Sequence, residues 1–254
     1  MNLQQLRVES DAKTHEGKVR QLNEDRFVAR EGQGFWAVAD GMGGHEHGEW
    51  ASARIVEELE KIEFPEDFNE AGDRIVEAIV AANKTIYTTS LKRGTQMGST
   101  IVALYMRDRR FAIFWVGDSR AYLLRNRQLK RLSRDHSQVQ EMVDRGLMEP
   151  SDAEGHPMGH ILTRAVGVRA QIDIDRVQGE VDPGDTFLLC SDGLHGYVDE
   201  PEIMRLLGHG SPEQASEQLV DTTLERGAPD NVTVVTVSVS EPTLLTFPGS
   251  GGGQ

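Results

Sequence analysis

Asp40, Asp118, Asp192 and Asp230 each stand where an apolar run meets a loop. Asp40 ends Phe35-Trp36-Ala37-Val38-Ala39, Asp118 follows Phe111 to Gly117, and Asp192 follows Phe187-Leu188-Leu189-Cys190-Ser191. Asp230 instead precedes Asn231 to Val239. In an antiparallel sheet the end of one strand lies beside the start of its neighbour, so these carboxylates can share one edge. A hairpin turning at Gly32 and Gln33, between a strand starting near Arg26 and the strand ending at Ala39, sets Asp25 opposite Asp40 with Glu24 adjacent. Acidic side chains gathered in this way repel one another unless cations neutralise them. Hard oxygen donors with no His or Cys signature select Mg²⁺ or Mn²⁺. A single Asp-Gly pair such as Asp40-Gly41 or Asp192-Gly193 is by default a turn. Taken together, these carboxylates, each at an apolar strand boundary, point to a metal site.

The elements that would position them follow from periodicity. Runs rich in β-branched and aromatic residues predict strands at Phe35 to Ala39, Thr100 to Tyr105, Phe111 to Val116, Ala121 to Leu124, Thr186 to Cys190 and Val232 to Val239. Apolar stripes predict helices through Ser52, Ile55, Val56, Leu59 and Ile62, through Phe68, Ala71, Ile75, Ile79, Ala82 and Ile86, and more briefly at Val139 to Val143. A last helix, through Ala215, Leu219 and Val220, has Ser211 as N-cap, Pro212 at its first position, Gln214 completing a capping box and Gly227 past its end. Strands come in groups joined by short turns (Arg107 to Arg110, Asn126-Arg127), and the two long helices lie together between groups. That order predicts an α+β sandwich with antiparallel sheets covered by helices, in one domain over residues 1–240. Residues 241–254, rich in Gly and Ser, read as a tail.

Among 254 residues, 41 Asp+Glu against 27 Lys+Arg give a net charge of -14, which excludes a general nucleic-acid or anionic-lipid binder. No run approaches the roughly 18 apolar residues of a spanning helix, so membrane insertion is not expected. One cysteine, Cys190, excludes an intramolecular disulfide and a thiolate zinc cage. The first residues lack the features of a secretory signal, so the expected location is cytoplasmic.

Val19-Arg20-Gln21-Leu22-Asn23-Glu24-Asp25, Asp40-Gly41-Met42-Gly43-Gly44, Gly98-Ser99-Thr100, Gly117-Asp118-Ser119-Arg120, Ser191-Asp192-Gly193-Leu194 and Asp230-Asn231 resemble, in order and spacing, the motifs of PP2C-type (PPM) metal-dependent protein serine/threonine phosphatases of the stand-alone bacterial kind. The resemblance covers residues 5–240 and implies the α-β-β-α sandwich of that family, with two antiparallel β-sheets flanked by helices. It further implies that Asp40 bridges two Mn²⁺ or Mg²⁺ ions with the Gly41 carbonyl on the first, and that Asp192 and Asp230 hold the second. Glu24 and Asp25 would act through bound waters, and Asp118 matches the ligand of a weaker third site. A water or hydroxide bridging the two ions would attack a phosphoserine or phosphothreonine, whose phosphate Arg20 would grip bidentately. The partners implied are phosphorylated proteins and an opposing Ser/Thr kinase.

One departure is Met42, where many eukaryotic relatives have a His assigned as general acid; His45 and His47 are nearby but read as loop histidines. The segment from Asp135-His136-Ser137 to Leu162-Thr163-Arg164-Ala165-Val166-Gly167 resembles the family's flap, with Asp135 read as a helix cap. His160 and His195 lack a partner spacing that would make them ligands. A cysteine phosphatase needs Arg six residues after its nucleophile, and Cys190 has Gly196 there, so it reads as a buried strand residue. A phosphoprotein-binding pseudophosphatase would have lost metal ligands, and Asp40, Asp192 and Asp230 are all in place.

Overall fold

The computed structural model describes residues 6–44, 46–153 and 156–242. One sheet runs in the order β1 (Arg7–His15), β11 (Val232–Ser240), β10 (Thr186–Cys190), β7 (Arg120–Arg125) and β8 (Gln128–Arg131). The other runs β2 (Asp25–Arg30), β3 (Phe35–Met42), β5 (Ile101–Arg107), β6 (Arg110–Val116) and β9 (Asp175–Glu180), with β4 (Gly98–Ser99) paired to the end of β3. Neighbouring strands are antiparallel throughout.

Side chains alternate between two cores. Along β3, Phe35, Ala37 and Ala39 pack under α1 (Glu46–Glu60) and α2 (Phe68–Arg93), while Trp36 and Val38 face the other sheet. On the far side, Leu188, Cys190, Val232 and Val234 pack under α5 (Asp192–His195), α6 (Glu200–Leu207) and α7 (Pro212–Glu225). The layers are therefore helix, sheet, sheet, helix. Central strands are apolar on both faces, which explains their unbroken hydrophobic runs in an antiparallel sheet.

Local chemistry sets the ends. Ser211, Pro212 and Gln214 form the expected capping box of α7, and Gly227 follows with φ 102°. The β5–β6 hairpin turns on Asp108 and Arg109 at φ 49° and 62°, the primed geometry whose twist suits paired strands.

Several features differ from the sequence expectation, which also gave no strand at β9 and no helix at α6. Strand β1 lies at a sheet edge and pairs along its length with β11, yet its polar residues gave no apolar run. The β2–β3 connection is a 3₁₀ turn over Glu31–Gln33 closed by Gly34, longer than the two-residue turn expected, but centred so that the register is the same. The first flap helix, α3 (Gln138–Asp144), is capped by Ser137, whose side chain accepts from the Gln140 N–H, not by Asp135. A short α4 (Pro150–Ala153) follows. His45 and residues 243–254 of the expected tail lie outside the described residues.

Candidate metal centre and active site

The β2–β3 ladder pairs Asp25 directly with Asp40. Asp25 is buried; its Oδ2 accepts from Ser191 Oγ at 2.7 Å, and Ser191 Oγ in turn accepts from the Thr233 N–H at 3.0 Å. Asp25 Oδ1 is buried without a hydrogen-bond partner. Burial pushes the Asp25 carboxyl up to about 7, the charges of Asp192 and Asp230 add to this, and the Ser191 and Thr233 hydroxyls oppose it.

Asp40 is held by Thr100 from two sides. The Asp40 N–H donates to Thr100 Oγ1 at 3.1 Å and the Thr100 N–H donates to the Asp40 carbonyl at 2.8 Å, while Thr100 and Ser119 share a hydroxyl hydrogen bond of 2.7 Å. Burial raises the Asp40 carboxyl well above the carboxylate range, followed by the charges of Asp25, Asp192, Asp118 and Asp230. Asp192 rises to about 6 through burial and the Asp230 charge, opposed by a hydrogen bond with Asp40 and by Arg20 and Arg120. Asp118, also buried, rises through burial and the charges of Asp192 and Asp135. The expected acidic residues thus feel one another across five separate chain segments.

Glycines let the backbone close around this cluster. A Cβ on Gly41 would lie 2.1 Å from the Gly48 carbonyl oxygen of α1 and 2.8 Å from that of Glu24. The Gly41 N–H donates to the Glu24 carbonyl at 3.2 Å, which also accepts from Ser52 Oγ at 2.5 Å. Asn231 fixes the other border: its amide donates to the carbonyls of Glu16 and Leu22, both at 2.9 Å, and its oxygen accepts from the Glu24 N–H at 2.8 Å. The loop between them carries Arg20, whose Nη2 lies 2.7 Å from Asp230 Oδ2. The hydrogen bond with Asp230 comes first among the causes that raise the Arg20 guanidinium above its ordinary value, joined by the charges of Glu24 and Asp192.

These donors fit divalent cations. They are oxygen-only and mutually repelling, buried at Asp25 and Asp118 and half-buried at the others, and Asp25 presents an unpartnered carboxylate oxygen. Arg20 covers Asp230, and no three acidic, His or Cys side chains among the described residues close into a finished ligand set.

Thr100, Ser119, Ser191 and Asn231 were visible only as letters of motifs, and their partners lie far along the chain. Arg120 was also missed as a working residue. It holds Asp135, the expected cap, through Nε at 3.1 Å to both carboxylate oxygens and Nη2 at 2.7 Å, keeping Asp135 low against its burial. His195 is partly buried on α5, with Nε2 3.1 Å from the Asp118 carbonyl, and burial depresses it to about 3, so it donates as a neutral ring. His160 is exposed, and His47 is the second residue of α1, with its N–H on the Gly44 carbonyl at 3.3 Å. Cys190 is buried in β10 and its thiol is pushed up to about 12 by that burial.

The family model for protein phosphatase 2C matches residues 4–142. The chain belongs to the protein phosphatase 2C family. It is 34% identical over 238 residues to the serine/threonine phosphatase stp of Listeria monocytogenes, covering 90% of this chain and 94% of that one. It is also 34% identical over 230 residues to the serine/threonine protein phosphatase PstP of Mycobacterium tuberculosis, covering 90% of this chain but spanning only 44% of PstP. Among solved structures it is similar to PppA of Pseudomonas aeruginosa, with a TM-score of 0.85, 38% identity and 91% and 97% of the two chains covered. The PstP catalytic domain in complex with 2 manganese ions gives a TM-score of 0.83 at 32% identity, covering 93% of this chain and 100% of that one. The two antiparallel sheets flanked by helices are the architecture of this family.

Proposed function

We propose that the chain is a metal-dependent protein serine/threonine phosphatase acting on phosphoserine and phosphothreonine in proteins. The observation that carries this reading is the convergence of Asp25, Asp40, Asp192 and Asp230 beside Arg20. Membership of the protein phosphatase 2C family and the two manganese ions of the PstP relative support it.

In this reading Asp40, Asp192 and Asp230, with the Gly41 carbonyl, hold two Mn²⁺ or Mg²⁺ ions, Glu24 and Asp25 act through waters, and Asp118 serves a weaker third ion. When bound, the cations would make water a nucleophile near neutral pH and would neutralise charge developing on the phosphate. The chain's own contribution is placement. Thr100 fixes the Asp40 backbone and Ser191 orients Asp25. Arg20 stands at the border on Asp230, where its planar fork can take two phosphate oxygens. Asp25 and Asp192, protonated or ionised within the neutral range, exchange protons for cations as the site loads.

Residues 1–240 act as one catalytic domain, and an opposing Ser/Thr kinase supplies the substrates. Among the described residues no helix is long and apolar enough to cross a membrane. Purified protein with Mn²⁺ is expected to release phosphate from p-nitrophenyl phosphate and from a phosphothreonine peptide, and EDTA or Asp192→Asn should abolish both. Turnover that survives EDTA would contradict the reading.

A further inference from the structure

Asp118 follows β6 through Gly117, whose φ is 108° and whose Cβ, if present, would lie 2.6 Å from Thr100 Cγ2. The turn is therefore tightly confined, and two histidines hold its backbone. The Gly117 N–H donates to His136 Nδ1 at 3.0 Å, and the His136 N–H donates back to the Gly117 carbonyl at 2.9 Å. His195 Nε2 lies 3.1 Å from the Asp118 carbonyl, which only accepts, so the imidazole donates there.

Each histidine joins this turn to another part of the site. His195 ends α5, the helix that Asp192 begins, so one hydrogen bond spaces Asp118 from Asp192. The His136 ring is buried and stacked on Trp115 with centroids 6.3 Å apart; its Nε2 faces Asp175 Oδ2 at 3.5 Å. Asp175 Oδ1 accepts from Arg164 at 2.5 Å, and the Thr163 N–H donates to the His136 backbone carbonyl at 2.8 Å, which ties the returning end of the flap to the same residue.

We propose that His136 and His195 are positioning residues that clamp the Gly117–Asp118 peptide, setting the distance of Asp118 from Asp192 and linking it to the flap. The proposal rests on the reading of Asp118 as ligand of the weaker third cation. Imidazole nitrogens have amide mimics: Asn places its amide group where Nδ1 lies, and Gln places its amide group where Nε2 lies. H136N keeps the acceptor for Gly117 and H136Q loses it. H195Q keeps the donor to Asp118 and H195N loses it.

The test is Mn²⁺ binding to the full chain by titration calorimetry, with electron paramagnetic resonance counting bound ions and thermal melts checking folding. H136N and H195Q are expected to bind Mn²⁺ as the native chain does. H136Q and H195N should weaken the weakest ion by roughly five-fold, the effect of one lost hydrogen bond, and leave the tighter ions unchanged. In a D118A background none of the four should change Mn²⁺ binding further. Equal damage from both amides at each histidine, or effects that add to D118A, would overturn the proposal and leave a packing role. If D118A alters no bound ion, the third-site reading itself fails and takes the proposal with it, while the p-nitrophenyl phosphate assay separately reports on the phosphatase reading. If the variants of one histidine do not fold, the pair at the other carries the same comparison.

Discussion

Asp25 and Asp40 are register partners on β2 and β3, so the sheet's own ladder holds a buried and a half-buried carboxyl side by side. Their stability contribution has a defined sign. Asp25 titrates at about 7 and Asp192 at about 6 in the folded chain, above the carboxylate value of about 4 in the unfolded chain. The folded state then binds more protons across that interval, so the stability from these groups is complete below about pH 4 and lost as pH rises through about 6 to 7. With EDTA, the melting temperature should fall between pH 5 and pH 8. Mn²⁺ should restore it, by an increment that grows with pH; an increment independent of pH would contradict the assignment.

Arg20 lies on Asp230 at the rim of the cluster. Arg20→Ala is expected to lower kcat/KM for a phosphothreonine peptide by about ten- to a hundredfold, mostly through KM, the range for hydrogen bonds to a charged group. Arg20→Lys should recover only part of this, because an ammonium cannot bond two phosphate oxygens with a planar fork. Steady-state kinetics on the two variants would check it, and full recovery by Lys would count against bidentate binding.

Gly48 sits inside α1, where alanine normally favours a helix. Here a Cβ would meet the Gly41 carbonyl carbon and oxygen at 2.8 Å and Glu24 Cδ at 2.9 Å. Gly48→Ala is therefore expected to lower the melting temperature by about 5 °C and to weaken Mn²⁺ binding. An unchanged or raised melting temperature would show that the Gly41–Gly48 contact can relax.

Cys190 is buried at the end of β10 with its thiol held protonated. Iodoacetamide on the native protein should leave activity and mass unchanged. Inactivation with a single added carbamidomethyl group would reopen a cysteine mechanism.

The acidic cluster was legible because each Asp adjoins an apolar strand, and strand identity is local information. The pairing of Asp25 with Asp40 followed from hairpin counting alone, and it survived a turn of a different kind because register depends on where the turn is centred. The residues that orient these carboxylates were not legible. Asp135 looked like a cap because Asp commonly precedes helices, but Arg120, 15 residues earlier, takes its carboxylate and leaves the cap to Ser137. His136 and His195 bond to backbone groups, which have no sequence signature. Strand β1 was hidden because an edge strand is stabilised by its ladder to β11 more than by an apolar face.

The most direct test of the two-cation centre is anomalous diffraction at the manganese edge from crystals grown with Mn²⁺. The account predicts two strong peaks in contact with Asp40, one also touching the Gly41 carbonyl and the other touching Asp192 and Asp230, with Arg20 drawn off Asp230. Peaks elsewhere on the protein, with Arg20 still 2.7 Å from Asp230, would contradict it.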